Sequence, residues 1–428
     1  MKLICYGAAQ EVGRSAILLK GNDKLLLDYG LKISPKSKDI TSDDFGGVEM
    51  PFKINDYVNA VVLSHAHLDH SGAIPALYKS GTCPTFLTKA TQELSNILWK
   101  DTIKIAKIKE IDSIFDKEDI IETNNYCFNI DYRKEVNITK NSTLKFFDAG
   151  HIPGSTISLI KTEGKRIMYT GDFRSSESQL FKGYDKNLEN ADYLITETTY
   201  GTEVHKDREK QEKLFIGDIL ETLDNGGSVI IPAFAIERSQ EVIAILKKYR
   251  IDAPIYLDGM AKAATNIFLN YPSYFKDYKL FRKAADSVEF IKSQRNRKKL
   301  RKEQCIIVTT AGMLEGGPVL GYIEELDDPK NRIILTGYQV EGTNGRRLLE
   351  SGKLIIDGRE FKPRADVKKY SFSAHAGKDE IIKFIKKVNP QKVVCVHGDK
   401  ENIFKFKADL DKEGFNSVVP ALKEVVDL

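Results

Sequence analysis

The sequence predicts an α/β protein in which one domain is interrupted by a second. Three observations lead there. Strand-like segments in roughly the first 200 residues each end in a carboxylate or an imidazole. From about residue 202, helices and buried strands alternate with no histidine between His205 and His375, and this βαβ rhythm implies a parallel sheet. From about residue 364 the pattern of the first 200 residues returns, with Ser373-Ala374-His375-Ala376-Gly377 and His397-Gly398-Asp399 after strand-like runs. The expected boundaries are 1–201 and 359–428 for the split domain and 202–358 for the insert.

Composition sets the frame. With 428 residues the chain has room for two or three domains and a large core. Hydrophobic content of 41% and charged content of 29% are ordinary for a globular protein. A net charge of +4 permits a polyanionic partner without demanding one. The five cysteines, Cys5, Cys83, Cys127, Cys305 and Cys395, are scattered and form no C-x-x-C, so neither a disulfide framework nor a zinc ribbon is indicated. A reducing, cytoplasmic location is expected. Met1–Gly7 is too short an apolar run for a signal peptide, and no run approaches a membrane span, so no membrane partner is expected.

In chain order, Leu3–Tyr6, Ala16–Leu19 and Lys24–Asp28 read as short strands, the last ending in Asp28-Tyr29-Gly30. Residues 35–55 read as a polar surface loop. The β-branched run Val61-Val62-Leu63 then reads as a buried strand. It stops at Ser64, and His65, His67, Asp69 and His70 follow within six residues, before a helix expected over Ser71–Lys79 with Gly81 as its stop. Three of the chain's seven histidines lie in this H-x-H-x-D-H run. Imidazole and carboxylate donors suit zinc, and two metals about 3.5–4 Å apart can clamp a phosphoryl group. Helical periodicity spans Ala90–Lys117 and includes Trp99. Strands at Thr143–Phe147, Arg166–Tyr169 and Tyr193–Ile195 lead to His151, Asp172 and Glu197, and strands at Lys368–Phe372 and Lys392–Val396 lead to His375 and His397.

In this order, Asp28, the H-x-H-x-D-H run, His151 and Asp172 resemble the motifs of the metallo-β-lactamase fold. Glu197 in Thr-Glu-Thr-Thr-Tyr-Gly, His375 in Phe-Ser-Ala-His-Ala and His397 in Val-Cys-Val-His-Gly-Asp resemble motifs A, B and C of the β-CASP nucleases. Phe-Ser-Ala-His-Ala is most similar to the branch containing the nuclease subunit of the cleavage and polyadenylation specificity factor, and the presence of His397 sets the chain apart from the DNA-repair branch. The resemblance implies a metallo-β-lactamase αββα sandwich with an inserted parallel α/β β-CASP domain, resembling short archaeal or bacterial members.

It also implies roles. His65, His67 and His151 bind one Zn2+ ion, Asp69, His70 and His397 a second, and Asp172 bridges them. Asp69 also counts among the catalytic residues. Asp28 orients a water or a ligand histidine, His375 is the general acid, and Glu197 holds its ring and keeps it charged. The glycine-rich stretches with Gly312, Gly316, Gly317, Tyr338, Arg346 and Arg347 resemble family loops that contact RNA. His205 and the basic run Ser293–Lys302 stay open between structure and substrate contact.

The implied activity is a zinc-dependent ribonuclease cutting single-stranded RNA, mainly as an endonuclease, in RNA 3′-end processing or decay. Its implied partners are RNA, a second copy of the chain in a homodimer, and an RNA-processing or exosome-type complex. The rivals are a 5′-to-3′ exoribonuclease and a thioester or lactone hydrolase of the same fold.

Overall fold

A computed structural model describes residues 1–33, 47–79, 81–300 and 303–428. Residues 35–46 of the loop expected over 35–55, and Arg301 and Lys302 of the basic run, lie outside the described residues.

The chain divides into two compact units. The first holds Met1–Glu177, Lys182–Val204 and Ala374–Leu428, and the second Ser178–Phe181 and His205–Ser373. The second crossing therefore falls after Ser373, whereas the sequence pattern predicts it after residue 358. The reason is the strand Asp366–Lys369. It pairs in parallel with Arg332–Leu335, an element of the second unit's sheet, so its segment stays with that unit.

The first unit is built on two seven-stranded sheets. One runs Val425–Asp427, Lys2–Gly7, Ala16–Lys20, Lys24–Leu27, Ala60–Val62, Thr85–Leu87, Cys127–Asn129 from edge to edge. The other runs Ser417–Val418, Lys392–Val396, Tyr193–Glu197, Lys165–Tyr169, Thr156–Thr162, Ser142–Asp148, Glu135–Asn137. Alternation along the strands fills the space between the sheets: Leu3, Ile17, Leu25 and Leu27 meet Phe146, Ile160, Ile167, Ile195 and Val394. The opposite face of the first sheet, with Leu26 and Val61, packs on Trp99 and Phe115. The opposite face of the second, with Leu194, Val393 and Cys395, packs on Phe384 and Phe406 of the helices Lys378–Val388 and Lys400–Lys412. This is the αββα sandwich.

The second unit is a six-stranded sheet whose paired strands are all parallel, in the order Glu289–Phe290, Ile255–Asp258, Ile306–Thr309, Val229–Pro232, Arg332–Leu335, Asp366–Lys369. Its central strands Val229–Pro232 and Ile306–Thr309 are buried along their whole length, as helices on both faces require. Asp258, fully buried at a strand end, accepts from Arg297 Nε at 2.7 Å and Tyr322 Oη at 3.0 Å and pairs with Lys262 at 3.2 Å.

The histidine-rich run differs from its expectation in one respect. A short helix spans Leu68–Ser71, ends at Gly72, and is followed by a 3₁₀ turn Ile74–Lys79 in place of one helix from Ser71. Pro75 has no N–H and stands at the start of the second piece, where none is needed. The short helix is held from outside. Trp99 Nε1 donates to the Ser71 carbonyl at 2.9 Å, and the Tyr29 and Leu31 amides donate to the His70 and Leu68 carbonyls at 2.9 and 2.8 Å. Gly30 lies between those two amides, against the Asp69 peptide: a Cβ there would stand 1.8 Å from the Asp69 carbonyl oxygen.

Gly30→Ala is therefore expected to lower stability by about 1–3 kcal/mol through forced displacement of the Asp69–His70 backbone. Thermal unfolding checks this. Gly217→Ala, where a new Cβ meets nothing within 4 Å on a helix, is the control and should unfold at the same temperature or higher.

Candidate metal centre

Strand direction brings the motif residues to one place. Lys165–Tyr169, Tyr193–Glu197 and Lys392–Val396 are parallel neighbours, in register Tyr169↔Ile195 and Glu197↔Val396. Their C-terminal ends lie at one rim, so Asp172, Glu197 and His397 leave the sheet there. The facing sheet contributes Asp28 after Lys24–Leu27 and His65 and His67 after Ala60–Val62, two strands that are also parallel. Asp28 and His397 both adopt left-handed backbone, φ 58° and 50°, which disfavours side chains other than glycine or asparagine and is held by neighbouring strands. The Asp28 amide donates to the Val62 carbonyl at 3.0 Å and the His397 amide to the Ala8 carbonyl at 2.8 Å.

Two groups of donor atoms result. His65, His67, His151 and Asp172 form one, and Asp69, His70 and His397 the other, with the donor atoms in each within 4.8 Å of one another; a third set meeting the same limit, Asp172, Glu197 and His397, overlaps both. Asp172 faces both: its Oδ2 lies 3.5 Å from His65 Nε2, 3.8 Å from His151 Nε2 and 3.4 Å from His70 Nε2, and its Oδ1 lies 3.5 Å from His397 Nδ1. Asp69 Oδ2 is 3.3 Å from His397 Nε2 and 4.0 Å from His70 Nε2. Three of these atoms, His65 Nε2, His70 Nε2 and Asp172 Oδ1, are buried with no hydrogen-bond partner. His151 Nε2 and His67 Nδ1 face each other at 2.9 Å. Orphaned buried donors that converge on one point are expensive unless a cation satisfies them. The nitrogen-and-oxygen set is the one zinc prefers, so the residues present fit a metal site.

Behind these atoms lies a layer of polar contacts. The fully buried Asp28 accepts at Oδ1 from the Ser64 amide at 2.6 Å. At Oδ2 it accepts from Ser64 Oγ, Tyr169 Oη and His70 Nδ1, each at 2.7 Å. Ser64 Oγ also lies 3.0 Å from His65 Nδ1. His151 Nδ1 donates to the Ala374 carbonyl at 2.9 Å. Glu197 accepts from the Phe173 amide at 2.9 Å, from Thr199 Oγ1 at 2.6 Å, and from His375 Nδ1 at 2.9 Å. Thr199 Oγ1 is also 3.3 Å from His397 Nδ1. Ser64, Tyr169, Thr199 and the Ala374 carbonyl do not emerge from the sequence. Each stands within two residues of a motif residue except Tyr169, which is three before Asp172, and a hydroxyl beside a ligand is the one available signal.

Charge follows from burial and neighbours. Burial, with the facing imidazoles, pushes His65 and His151 well below the usual histidine value. Burial likewise lowers His67, to about 4 even beside Asp69 and Asp172. For Asp172 and Asp69 burial works upward, and the surrounding rings, His70 first, outweigh it and hold both carboxyls low. His70 goes the other way: Asp172, Asp69 and Asp28 overcome its burial and raise it well above the usual value. The carboxylates that favour a proton on His70 would equally favour a cation in its place. His375 is raised to about 9, because Glu197 and Asp172 outweigh its burial.

His205 opens the second unit, half-buried, and belongs to neither donor group. Gly312, Gly316, Gly317 and Tyr338 lie in loops after the parallel strands Ile306–Thr309 and Arg332–Leu335. Arg346 and Arg347 are exposed on the helix Asn344–Ser351, Arg346 paired with Glu350. Most of the described part of the basic run is the helix Gln294–Leu300, in which Arg297 pairs with Asp258 while Arg295, Lys298 and Lys299 are exposed.

Facing groups of imidazoles and carboxylates at the rim of an αββα sandwich define a metal-dependent hydrolase. Comparison with known proteins makes the family specific. Residues 17–199 match the metallo-beta-lactamase superfamily domain, 239–348 the Beta-Casp domain, and 362–420 the Zn-dependent metallo-hydrolase RNA specificity domain. The chain is 40% identical to a probable RNase MJ4 of Methanocaldococcus jannaschii over the whole of both chains. It is 35% identical to RNase aCSPSF2 of Saccharolobus solfataricus, covering 99% of this chain and 84% of that one. To the transcription termination factor FttA of M. jannaschii it is 34% identical, covering 94% and 67%. The chain belongs to the β-CASP family of metallo-β-lactamase-fold proteins. A crystal structure of a protein of unknown function from Enterococcus faecalis V583 shares the fold, with a TM-score of 0.62 at 15% identity over 100% of this chain and 99% of that one.

His375 is expected to titrate near 9 in the metal-free protein, and Glu197→Gln to bring it down, as followed by NMR of the imidazole. A folded value above the unfolded one, about 6.5, means the pair's stabilisation is complete below about pH 6.5 and lost as pH rises through about 9. The loss of thermal stability in Glu197→Gln should accordingly be greater at about pH 6 than at about pH 10.

Proposed function

We propose that the chain is a ribonuclease with two zinc ions that hydrolyses phosphodiester bonds of single-stranded RNA, mainly from within the strand. One observation carries this beyond generic hydrolysis: His375, paired with Glu197 at 2.9 Å, stands beside both donor groups, 3.8 Å from Asp172. A lactonase or thioesterase has less need of an acid that stays protonated near neutral pH. A leaving 3′-oxygen does need one.

The division of labour follows from the residues. His65, His67 and His151 would hold one zinc, Asp69, His70 and His397 the other, and Asp172 both. When bound, the pair supplies a water nucleophile at neutral pH and offsets phosphate charge. Most of these groups are buried, but Asp69 is 31% and His375 21% exposed, so the scissile phosphate approaches over those two. Glu197 takes the Nδ1–H of His375, which directs the second ring proton, on Nε2, outward. As the phosphorus–O3′ bond breaks, that proton goes to O3′. The products are a 3′-hydroxyl upstream and a 5′-phosphate downstream.

Support for RNA as substrate comes from the RNA specificity domain and from relatives named as RNases. The relatives' names also include a transcription termination factor, which favours work on transcript ends. A cytoplasmic setting, a homodimer and membership of an RNA-processing or exosome-type complex belong to the same reading. Among the described residues no helix is long and apolar enough to cross a membrane.

Digestion of one RNA as 5′-triphosphate, 5′-monophosphate and circle tests the reading. All three should be cut, leaving 5′-phosphate ends. An intact circle beside a consumed 5′-monophosphate would identify a 5′-to-3′ exonuclease instead. His65→Ala with His67→Ala, or removal of zinc by a chelator, should bring cleavage to background. His375→Ala should lower kcat by about 100- to 10,000-fold while zinc content stays unchanged.

A further inference from the structure

We infer that Ser64 is a positioning residue: its hydroxyl transmits the charge of Asp28 to His65 and so fixes which ring nitrogen His65 presents to the metal. The inference rests on the reading of the two donor groups as zinc sites.

A hydroxyl has one proton to give. Ser64 Oγ lies 2.7 Å from Asp28 Oδ2 and 3.0 Å from His65 Nδ1, with the Tyr169 hydroxyl, itself a donor to Asp28, beside it. A carboxylate only accepts, so the Ser64 proton goes to Asp28. Its oxygen is then left to accept, and the atom facing it must donate. His65 Nδ1 therefore carries the ring proton, and Nε2 keeps a bare lone pair. That Nε2 is one of the buried atoms without a partner and points at Asp172 from 3.5 Å. Were the hydroxyl turned toward His65, its lone pairs would face Asp28 in a fully buried pocket, which costs both the bond and the repulsion.

The same carboxylate acts directly on the other group. His70 Nδ1 donates to Asp28 Oδ2 at 2.7 Å, so His70 Nε2 is the atom turned to Asp69 and Asp172. Asp28 thus reaches His70 in one step and His65 in two, and Ser64 is the step that belongs to one donor group alone. Tyr169, donating to the same Oδ2 at 2.7 Å, supports Asp28 and with it both groups.

Ser64→Ala tests this, because it removes the relay and leaves the Ser64 amide bond to Asp28 Oδ1 in place. Zinc affinity is measured by chelator competition on full-length protein in two backgrounds. With His397→Ala, which leaves the His65 group, adding Ser64→Ala should weaken zinc about 10- to 100-fold. With His67→Ala, which leaves the His70 group, it should change affinity far less. Tyr169→Phe should weaken zinc in both. A second readout needs no metal: ring ¹⁵N shifts of His65 in the metal-free protein should report a single Nδ1–H tautomer, and Ser64→Ala should mix the two. Equal losses in both backgrounds, no loss in either, or an unchanged tautomer would overturn the inference. A wild-type chain that binds no zinc yet has the single His65 tautomer would overturn the zinc reading and leave the relay standing. Metal-free thermal unfolding of each variant separates these results from misfolding.

Discussion

A single buried carboxylate holds the site together. Asp28 is fully buried, and its two oxygens accept four hydrogen bonds from three residues: two from Ser64, one from His70 and one from Tyr169. An isolated carboxylate in such a place would cost several kcal/mol, so its donors are obligatory. They come from both sheets. Ser64 and His70 follow the strand beside Asp28's own, and Tyr169 ends a strand of the facing sheet. The left-handed backbone at Asp28 turns its side chain into the space between these segments and away from solvent. Strand pairing fixes Asp28, and Asp28 fixes the rings.

This explains why the ligands are legible in the sequence while their supports are not. Metal ligands must be particular residue types, and three histidines and an aspartate in six residues leave few other meanings. Supports need only a donor of the right reach. Ser64, Tyr169 and Thr199 are ordinary residues at strand ends, and the Ala374 carbonyl is backbone, which has no signature at all. The elements divide in the same way. Buried strands such as Lys392–Val396 and Arg332–Leu335 carry their limits in the sequence, because apolar runs bounded by turns are local signals. The strand Asp366–Lys369 reads as part of the returning domain, because its partner is a matter of sheet pairing and its own polar sequence does not declare one. The basic run is ambiguous for a related reason. Arg297 is spent on Asp258, a buried partner far away in sequence, while Arg295, Lys298 and Lys299 are exposed.

Burial sorts the chemistry. His65, His70, His151, His397 and Asp172 are almost fully enclosed and His67 less so, and burial with mutual repulsion holds His65, His67 and His151 low, which favours the neutral form that binds metal. Asp69 and His375 are more exposed, which on the proposed reading is where a substrate would arrive. His375 keeps its charge in spite of burial because Glu197, itself nearly fully buried, stands 2.9 Å away. One fold thus drives imidazoles a few ångströms apart in opposite directions, lowering those that face other rings and raising His70 and His375, which have carboxylates on their Nδ1.

The inserted unit raises a mechanical question: how an acid pair survives on either side of an excursion that runs from His205 to Ser373. Glu197 stands shortly before the excursion and His375 just after it. Contacts inside the first unit are sufficient. Tyr200 and Gly377 form a parallel β-bridge, and the Lys378 amide donates to the Glu203 carbonyl at 2.8 Å, so the outgoing and returning chains are stitched side by side. The Phe173 peptide then clamps both members of the pair. Its N–H goes to Glu197 at 2.9 Å, and its carbonyl takes the Ala376 amide, next to His375, at 2.7 Å. Phe173 directly follows Asp172, so the residue facing both donor groups and the clamp of the Glu197–His375 pair are consecutive in the chain. The spacing between the Glu197–His375 pair and the two donor groups therefore runs through one short stretch of backbone, Asp172–Phe173, so a substitution that shifts this stretch acts on both.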